Sequence, residues 1–259
     1  MAAVSHMSTS ANVCWVLRED PELAEAIEPG RRAQAIEALV AREVRIPTGA
    51  WAGRAIPIDD GGIGLLVLEG VMLHRVGIDD RFGAELVGEG DVLRSLHGEP
   101  DNSTLPLTVE WLTLERARVA VLDERFARHL TRFPQVAGRL FARSVQRSRQ
   151  LAVNMAIVHQ ARVDVRLHLL FWHLAGRWGR VRSDGVVVPL RLTHTVLADL
   201  VAARRPTVTS ALSELSRQGL VRAVSDGWLL SGPAPGKHLG VDTAVAGDQS
   251  RRRPGLTQR

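Results

Sequence analysis

The 259-residue chain has one cysteine, few aromatic residues (4%) and no long apolar run, and each shortage closes off a class of protein. A lone cysteine, Cys14, excludes an internal disulfide and any all-cysteine metal or iron–sulfur site within one chain. It reads as a small buried thiol. No apolar stretch reaches the roughly 18 residues that a membrane helix needs, and "MAAVSHMSTSANV" lacks the basic and apolar regions of a signal peptide. The expected location is therefore the cytoplasm, with no membrane partner. Catalytic patterns are missing too: no nucleophile has a neighbouring base, and His168 and His173 do not share a helix face as metal ligands would. The three glycines of "DDGGIGLL" at 59–66 lie among strands and read as a turn. The sequence supports no enzyme and implies no cofactor and no metal.

What is present is charge, unevenly placed. Residues 1–135 carry 14 Lys/Arg against 21 Asp/Glu, residues 136–222 carry 14 against 4, and residues 223–259 carry 5 against 3. An arginine-rich middle segment suits a polyanion, because guanidinium matches phosphate and guanine edges. The length points to two domains with a boundary between them.

Texture along the chain suggests where that boundary falls. Residues 20–43 read as two short helices broken by Pro29-Gly30. From Val44 to Glu115, short apolar runs bounded by Gly and Asp turns argue for an antiparallel sandwich or barrel of short strands. Past Phe133-Pro134 comes a long helix. Its apolar or small residues Ala137, Leu140, Phe141, Ser144, Ser148, Leu151, Met155 and Val158 follow steps of three and four for about six turns. Such a stripe is expected to pack against its copy in a homodimer, with Arg139, Arg143, Arg147 and Arg149 mostly off it. Residues 162–178 form another apolar helix, expected to face a core with Val165, Leu169, Trp172 and Leu174, and "VVVPLRL" follows as a short strand.

From Thr193 the pattern becomes explicit. Thr193 is an N-cap for a helix with Val196, Leu197, Leu200 and Val201 on one face. After the break at "AAR" a second helix buries Val208, Ala211, Leu212 and Leu215, and Gly219 supplies its left-handed end. Two helices joined by so short a turn make a helix-turn-helix. The stretch "VRAVSDGWLLSG" then reads as a two-stranded wing turning at Asp226-Gly227. Pro206 falls in the first turn of the second helix, where a fixed φ helps and no amide bond is lost. Arg204 and Arg205 oppose the helix dipole at that end, so helix stability does not select them; a phosphate or base in front of them would. The face expected to enter a major groove is Arg205, Thr207, Thr209, Ser210, Ser213 and Arg217.

At "VPLRLTHTVLADLVAARRPTVTSALSELSRQGLV" the chain resembles the Crp/Fnr superfamily of bacterial transcription regulators. The resemblance implies an α+β fold with an N-terminal jelly-roll sensor-like domain (1–133), a dimerisation helix (134–160), a winged helix-turn-helix (161–232) and a disordered tail (233–259). It places Arg205 on the family's guanine-reading arginine, and Thr193 and Thr207 on phosphate-contacting positions. Pro206 and Ser210 depart from the family's other base readers, so its best-known operator does not carry over. "GEGDVL" at 88–93 is similar to the Gly-x-Gly-Asp turn of the sensor, but the Phe-Gly-Glu and Arg-Ser/Thr-Ala segments that hold a cyclic nucleotide are not recognisable after it. Arg94 is the nearest candidate for a phosphate. The expected function is a homodimeric, sequence-specific regulator on double-stranded DNA that does not respond to cyclic AMP. RNA polymerase and an unidentified small-molecule effector stay open as partners. A cyclic-nucleotide-responsive regulator and a ligand-responsive protein-interaction module are the alternatives.

Overall fold

The structure is a computed structural model that describes residues 12–51, 56, 61–79, 81–94 and 105–235. The tail expectation from residue 236 onward, with Arg251, Arg252 and Arg253, lies outside the described residues, as does the segment 95–104 after the Gly-x-Gly-Asp turn.

The chain opens with β1 (Asn12–Trp15) and three helices, α1 (Val16–Glu19), α2 (Pro21–Glu25) and α3 (Pro29–Ala38). The Asp20 carboxylate caps α2 by accepting from the Leu23 amide at 3.4 Å. The two helices expected in 20–43 are α2 and α3, but the second stops at Ala38. Val40 already belongs to β2 (Val40–Ile46), which pairs with both β1 and a later strand. There the apolar residues fall on a strand's period, which tertiary pairing selects over a helical one.

The strands β3 (Gly49–Trp51), β4 (Gly64–Ile78), β5 (Arg81–Gly88), β6 (Val92–Leu93) and β7 (Thr108–Leu122) complete an antiparallel sheet of order β1-β2-β7-β4-β5, with β3 on β7 and β6 on β4. Not all strands are short, as the turn signals suggested: β4 and β7 run 15 residues each. Irregularities between Val67 and Met72 bend β4 against β7. Both faces of β4 are buried. Leu65, Val67 and Met72 point into the β-domain with Val119 and Val121, Leu66 and Leu68 meet the N-terminal helices, and Val71 and Leu73 meet the C-terminal domain. A strand covered on both sides loses its polar alternation and reads as one apolar run.

The Asp123 carboxylate caps α4 (Glu124–Leu130), accepting from the Phe126 amide at 2.8 Å, and α5 (Pro134–Val158) starts on its proline. α6 (Val163–Trp178) follows. It carries apolar residues on more than one face, and the face it buries is Leu167, Leu170, Phe171 and Leu174. This corrects the expected face: Leu174 is buried, Leu169 and Trp172 are half-buried, and Val165 is exposed. With large apolar residues on neighbouring faces as well, periodicity does not choose between them.

A hairpin of β8 (Arg180–Arg182) and β9 (Gly185–Val188), the helices α7 (His194–Leu200) and α8 (Arg205–Arg217), and a second hairpin of β10 (Val221–Val224) and β11 (Gly227–Leu230) finish the described chain. The strands form a sheet of order β10-β11-β9-β8. In the second hairpin Val224 pairs with Gly227, so the turn residues are Ser225 and Asp226, not Asp226-Gly227. Gly227 is needed for a different reason. A Cβ there would stand 2.1 Å from the Val188 carbonyl oxygen.

The architecture is the expected α+β one: an N-terminal antiparallel β-domain, a long helix and a C-terminal winged helix-turn-helix. One apolar core runs through the junction of the two domains, joining Val71, Leu73 and Leu86 to Phe171, Leu174 and Leu200. Ion pairs frame it. Arg177 on α6 donates to Asp91 at 2.8 Å and to the Glu89 carbonyl at 2.8 Å, so the "GEGD" turn is a socket for the end of α6, and Trp178 lies against Gly88. On the other side Arg75 Nε stands 3.3 Å from Asp199 on α7.

Candidate nucleic-acid interface

The winged domain positions its polar face from the inside out. Thr193 caps α7, its hydroxyl accepting from the Val196 amide at 3.2 Å. Val196, Leu197, Leu200 and Val201 are buried, as are Val208, Ala211, Leu212 and Leu215 on α8. Burying each of these valines and leucines is worth about 1.5–3 kcal/mol, which fixes the faces that remain outside. Between the helices Ala202 takes φ +50, a left-handed conformation without glycine. Arg166 of α6 pins this turn, donating to the Val201 carbonyl at 3.1 Å and the Ala202 carbonyl at 3.3 Å. Gly219 ends α8 with φ +70, as its position suggested.

The structure brings the expected residues together. Arg204 is the exposed residue before the first turn of α8, Pro206 lies within that turn, and Arg205, Thr207, Thr209, Ser210, Ser213 and Arg217 are all exposed on α8. Thr193 is exposed at the start of α7. Hydroxyls on this face are back-bonded: Thr209 donates to the Arg205 carbonyl at 3.1 Å, Ser210 to Pro206 at 3.3 Å and Ser213 to Thr209 at 3.0 Å. These weak bonds within the helix are easily exchanged for an outside acceptor. Arg217 is held by Glu214 at 2.6 Å, whose carboxyl lies below its ordinary range because Arg217 and Gln218 donate to it. Arg204 and Arg205 carry no ion pair among the described residues. They face outward at the amide end of α8, where an anion is favoured.

The charge asymmetry is partly spent inside the molecule. Arg143 bonds Asp20 and Glu22, Arg147 bonds Glu85, and Arg177 bonds Asp91, so three arginines of the basic segment neutralise carboxylates of the acidic one. Arg191, exposed just ahead of Thr193, carries no ion pair among the described residues, like Arg204 and Arg205. Sequence reading missed Arg191, and also His194, whose Nδ1 lies 2.9 Å from Thr209 Oγ1 and ties the two helices together on the outer face.

The stripe on α5 divides. Phe141 (70% exposed), Ser144, Ser148, Leu151 and Met155 are exposed, and Val158 is half-buried. Leu140 belongs instead to the core beneath the N-terminal helices, which corrects its place on the dimerisation face: neighbouring steps of three and four straddle two faces, and the inner one is taken by the chain itself. His168 accepts from Trp172 Nε1 at 3.1 Å, and burial lowers the pKa of both His168 and His173. No group of three His, Cys, Asp or Glu able to hold a metal exists among the described residues, and no described helix is long and apolar enough to cross a membrane.

These features define a winged-helix DNA-binding domain carried behind a long helix on an antiparallel β-domain. Residues 165–230 match the family described as the Crp-like helix-turn-helix domain, and that part of the chain is such a domain. Beyond it, the chain shares its fold with solved regulators of the CRP/FNR type. A CooA mutant from Carboxydothermus hydrogenoformans superposes with a TM-score of 0.59 at 16% identity, covering 88% of this chain and 94% of that one. FixK2 from Bradyrhizobium japonicum does so at 0.55 and 16%, covering 74% and 93%. A transcriptional regulator of the CRP family from Thermus thermophilus gives 0.51 and 18%, covering 73% and 91%. A comparison with curated proteins finds no match.

Proposed function

We propose that the protein is a homodimeric, sequence-specific DNA-binding transcription regulator that does not respond to cyclic AMP. The observation that carries this reading is the outer face of α8, where small hydroxyl side chains lie between unpaired arginines at one end and Arg217 at the other. Such a face is narrow enough for a major groove and offers donors to bases and phosphates. Arg205 reads a base, while Thr193, Arg204 and Thr207 hold the backbone, with Thr209, Ser210, Ser213 and Arg217 along the groove. The exposed stripe of Phe141, Ser144, Ser148, Leu151 and Met155 supports pairing through α5, which would set two recognition helices about 34 Å apart.

The absence of a cyclic AMP response is supported by what the nearby guanidiniums already bind. Arg147 is committed to Glu85, and Arg94 donates to the Gly62 carbonyl at 3.0 Å. A cyclic phosphate needs a guanidinium within a nest of amides. A small-molecule effector of another kind and RNA polymerase remain partners of this proposal. Electrophoretic mobility shifts with promoter fragments test it: binding should exceed that to random duplex at moderate salt and fall steeply as salt rises. Equal affinity for all duplexes would leave only a non-specific binder, and no DNA binding would favour a protein-interaction module.

A further inference from the structure

Between Thr193 and Gly219, His194 is the one side chain of a type that ordinarily changes charge between about pH 5 and pH 8. It is half-buried at the start of α7, directly after the exposed cap Thr193, and its Nδ1 lies 2.9 Å from Oγ1 of Thr209 on the outer face of α8.

The direction of that bond follows from counting protons. A threonine hydroxyl has one hydrogen to give, and Thr209 gives it to the Arg205 carbonyl at 3.1 Å. Toward the imidazole it therefore presents a lone pair, and Nδ1 carries the hydrogen. In the neutral ring Nε2 is then an acceptor only, and it has no hydrogen bond among the described residues. An acceptor repels a phosphate oxygen. Protonation turns the same atom into a charged donor while the bond to Thr209 stays as it was.

The surroundings supply no counter-charge of their own. Arg191 precedes His194 on the chain, and Arg205 lies one turn ahead of Thr209 on α8. The carboxylates of the two helices are both engaged, Asp199 beside Arg75 at 3.3 Å and Glu214 with Arg217 at 2.6 Å. An anion that pairs with an imidazolium here comes from outside, and on this face DNA supplies it.

We propose that DNA binding takes up a proton at His194, whose imidazolium holds Thr209 through Nδ1 and a DNA phosphate through Nε2. This deepens the DNA-binding reading and rests on it, though not on sequence preference. The sign follows by linkage: the contact contributes affinity at low pH and is lost as pH rises through the imidazole range.

A random-sequence duplex about three helical turns long, titrated at low salt, reads phosphate contacts without an operator. From about pH 8 to about pH 6 the full chain should bind it about tenfold more tightly, and calorimetry near pH 7 in buffers of different ionisation enthalpy should show proton uptake. His194→Asn keeps an N–H for Thr209 but no titrating nitrogen, so its affinity should stay flat at the parent's high-pH level. His194→Arg, a permanent cation, should stay flat at the parent's low-pH level. Duplex binding that is equal at both pH values would overturn the proposal and leave the DNA-binding reading standing; Thr209 would then donate to Nδ1, with the hydrogen on Nε2. A pH response undiminished in His194→Asn would overturn it as well. No duplex binding at any pH would remove the DNA-binding reading and this proposal with it.

Discussion

Replacing Arg177 with methionine removes the ion pair between α6 and the "GEGD" turn while keeping most of the side chain's apolar stem. Asp91 is only 7% exposed, and after the change its remaining partner is the Gly88 amide, which donates to it at 2.9 Å. Stranding one half of a fully buried pair costs about 3–5 kcal/mol. Arg177 keeps a fifth of its side chain in solvent and Asp91 keeps one strong bond, so the expected loss is about 2 kcal/mol, with most of the Arg177 effect coming from the abandoned carboxylate. That origin makes a second expectation: in an Asp91→Asn background the same Arg177→Met change should cost far less, a coupling of roughly 1–2 kcal/mol. Urea unfolding of the four proteins at pH 7, followed by circular dichroism, measures both. Because one apolar core crosses the junction, the parent chain should unfold in a single transition. A loss below about 0.5 kcal/mol, or additive losses in the double variant, would refute the view that this contact joins the domains.

Other expectations follow from single residues. Phe141→Glu places a charge on the exposed part of the α5 stripe and should weaken self-association by about a hundredfold with little change in unfolding, read by sedimentation; an unchanged association would remove the stripe from the interface. Gly227→Ala forces a Cβ into the Val188 carbonyl and should cost about 2–3 kcal/mol in urea unfolding. An unchanged midpoint would mean that the wing relaxes freely. Hydrogen bonds from Arg118, and then from Arg45, hold the Glu43 carboxyl down to about 2 against an ordinary 4.5. A depressed carboxylate contributes stability above the unfolded value, and that contribution is lost as pH falls from about 4.5 through about 2. Glu43→Gln should therefore destabilise by roughly 1–3 kcal/mol at pH 7, with the gap to the parent closing below pH 4.5; a constant gap would contradict the assignment.

The helix-turn-helix was legible because its determinants are local. Thr193 caps within three residues, Pro206 tolerates only a first turn among helical positions, and the buried and exposed faces of α8 differ sharply in polarity. The β-domain was legible as a class but not in its strand lengths, because burial of both faces of β4 erased the alternation that marks a strand's extent. α6 hid its inward face for a similar reason. The junction was not legible at all. Arg177 meets Asp91 across 86 positions and Arg147 meets Glu85 across 62, and no local pattern announces such partners. Those pairs also explain why the basic segment overstated the charge left for DNA.

The central claim, sequence-specific reading by paired copies of α8, is tested most directly by selection from a random duplex library with the parent chain and with Arg205→Ala. The expected outcome is enrichment of an inverted repeat whose half-sites lie about one helical turn apart, with Arg205→Ala relaxing one position in each half-site by about 1–3 kcal/mol. A parent chain that enriches no sequence, or an Arg205→Ala chain that enriches the same repeat with every position weighted as before, would contradict it.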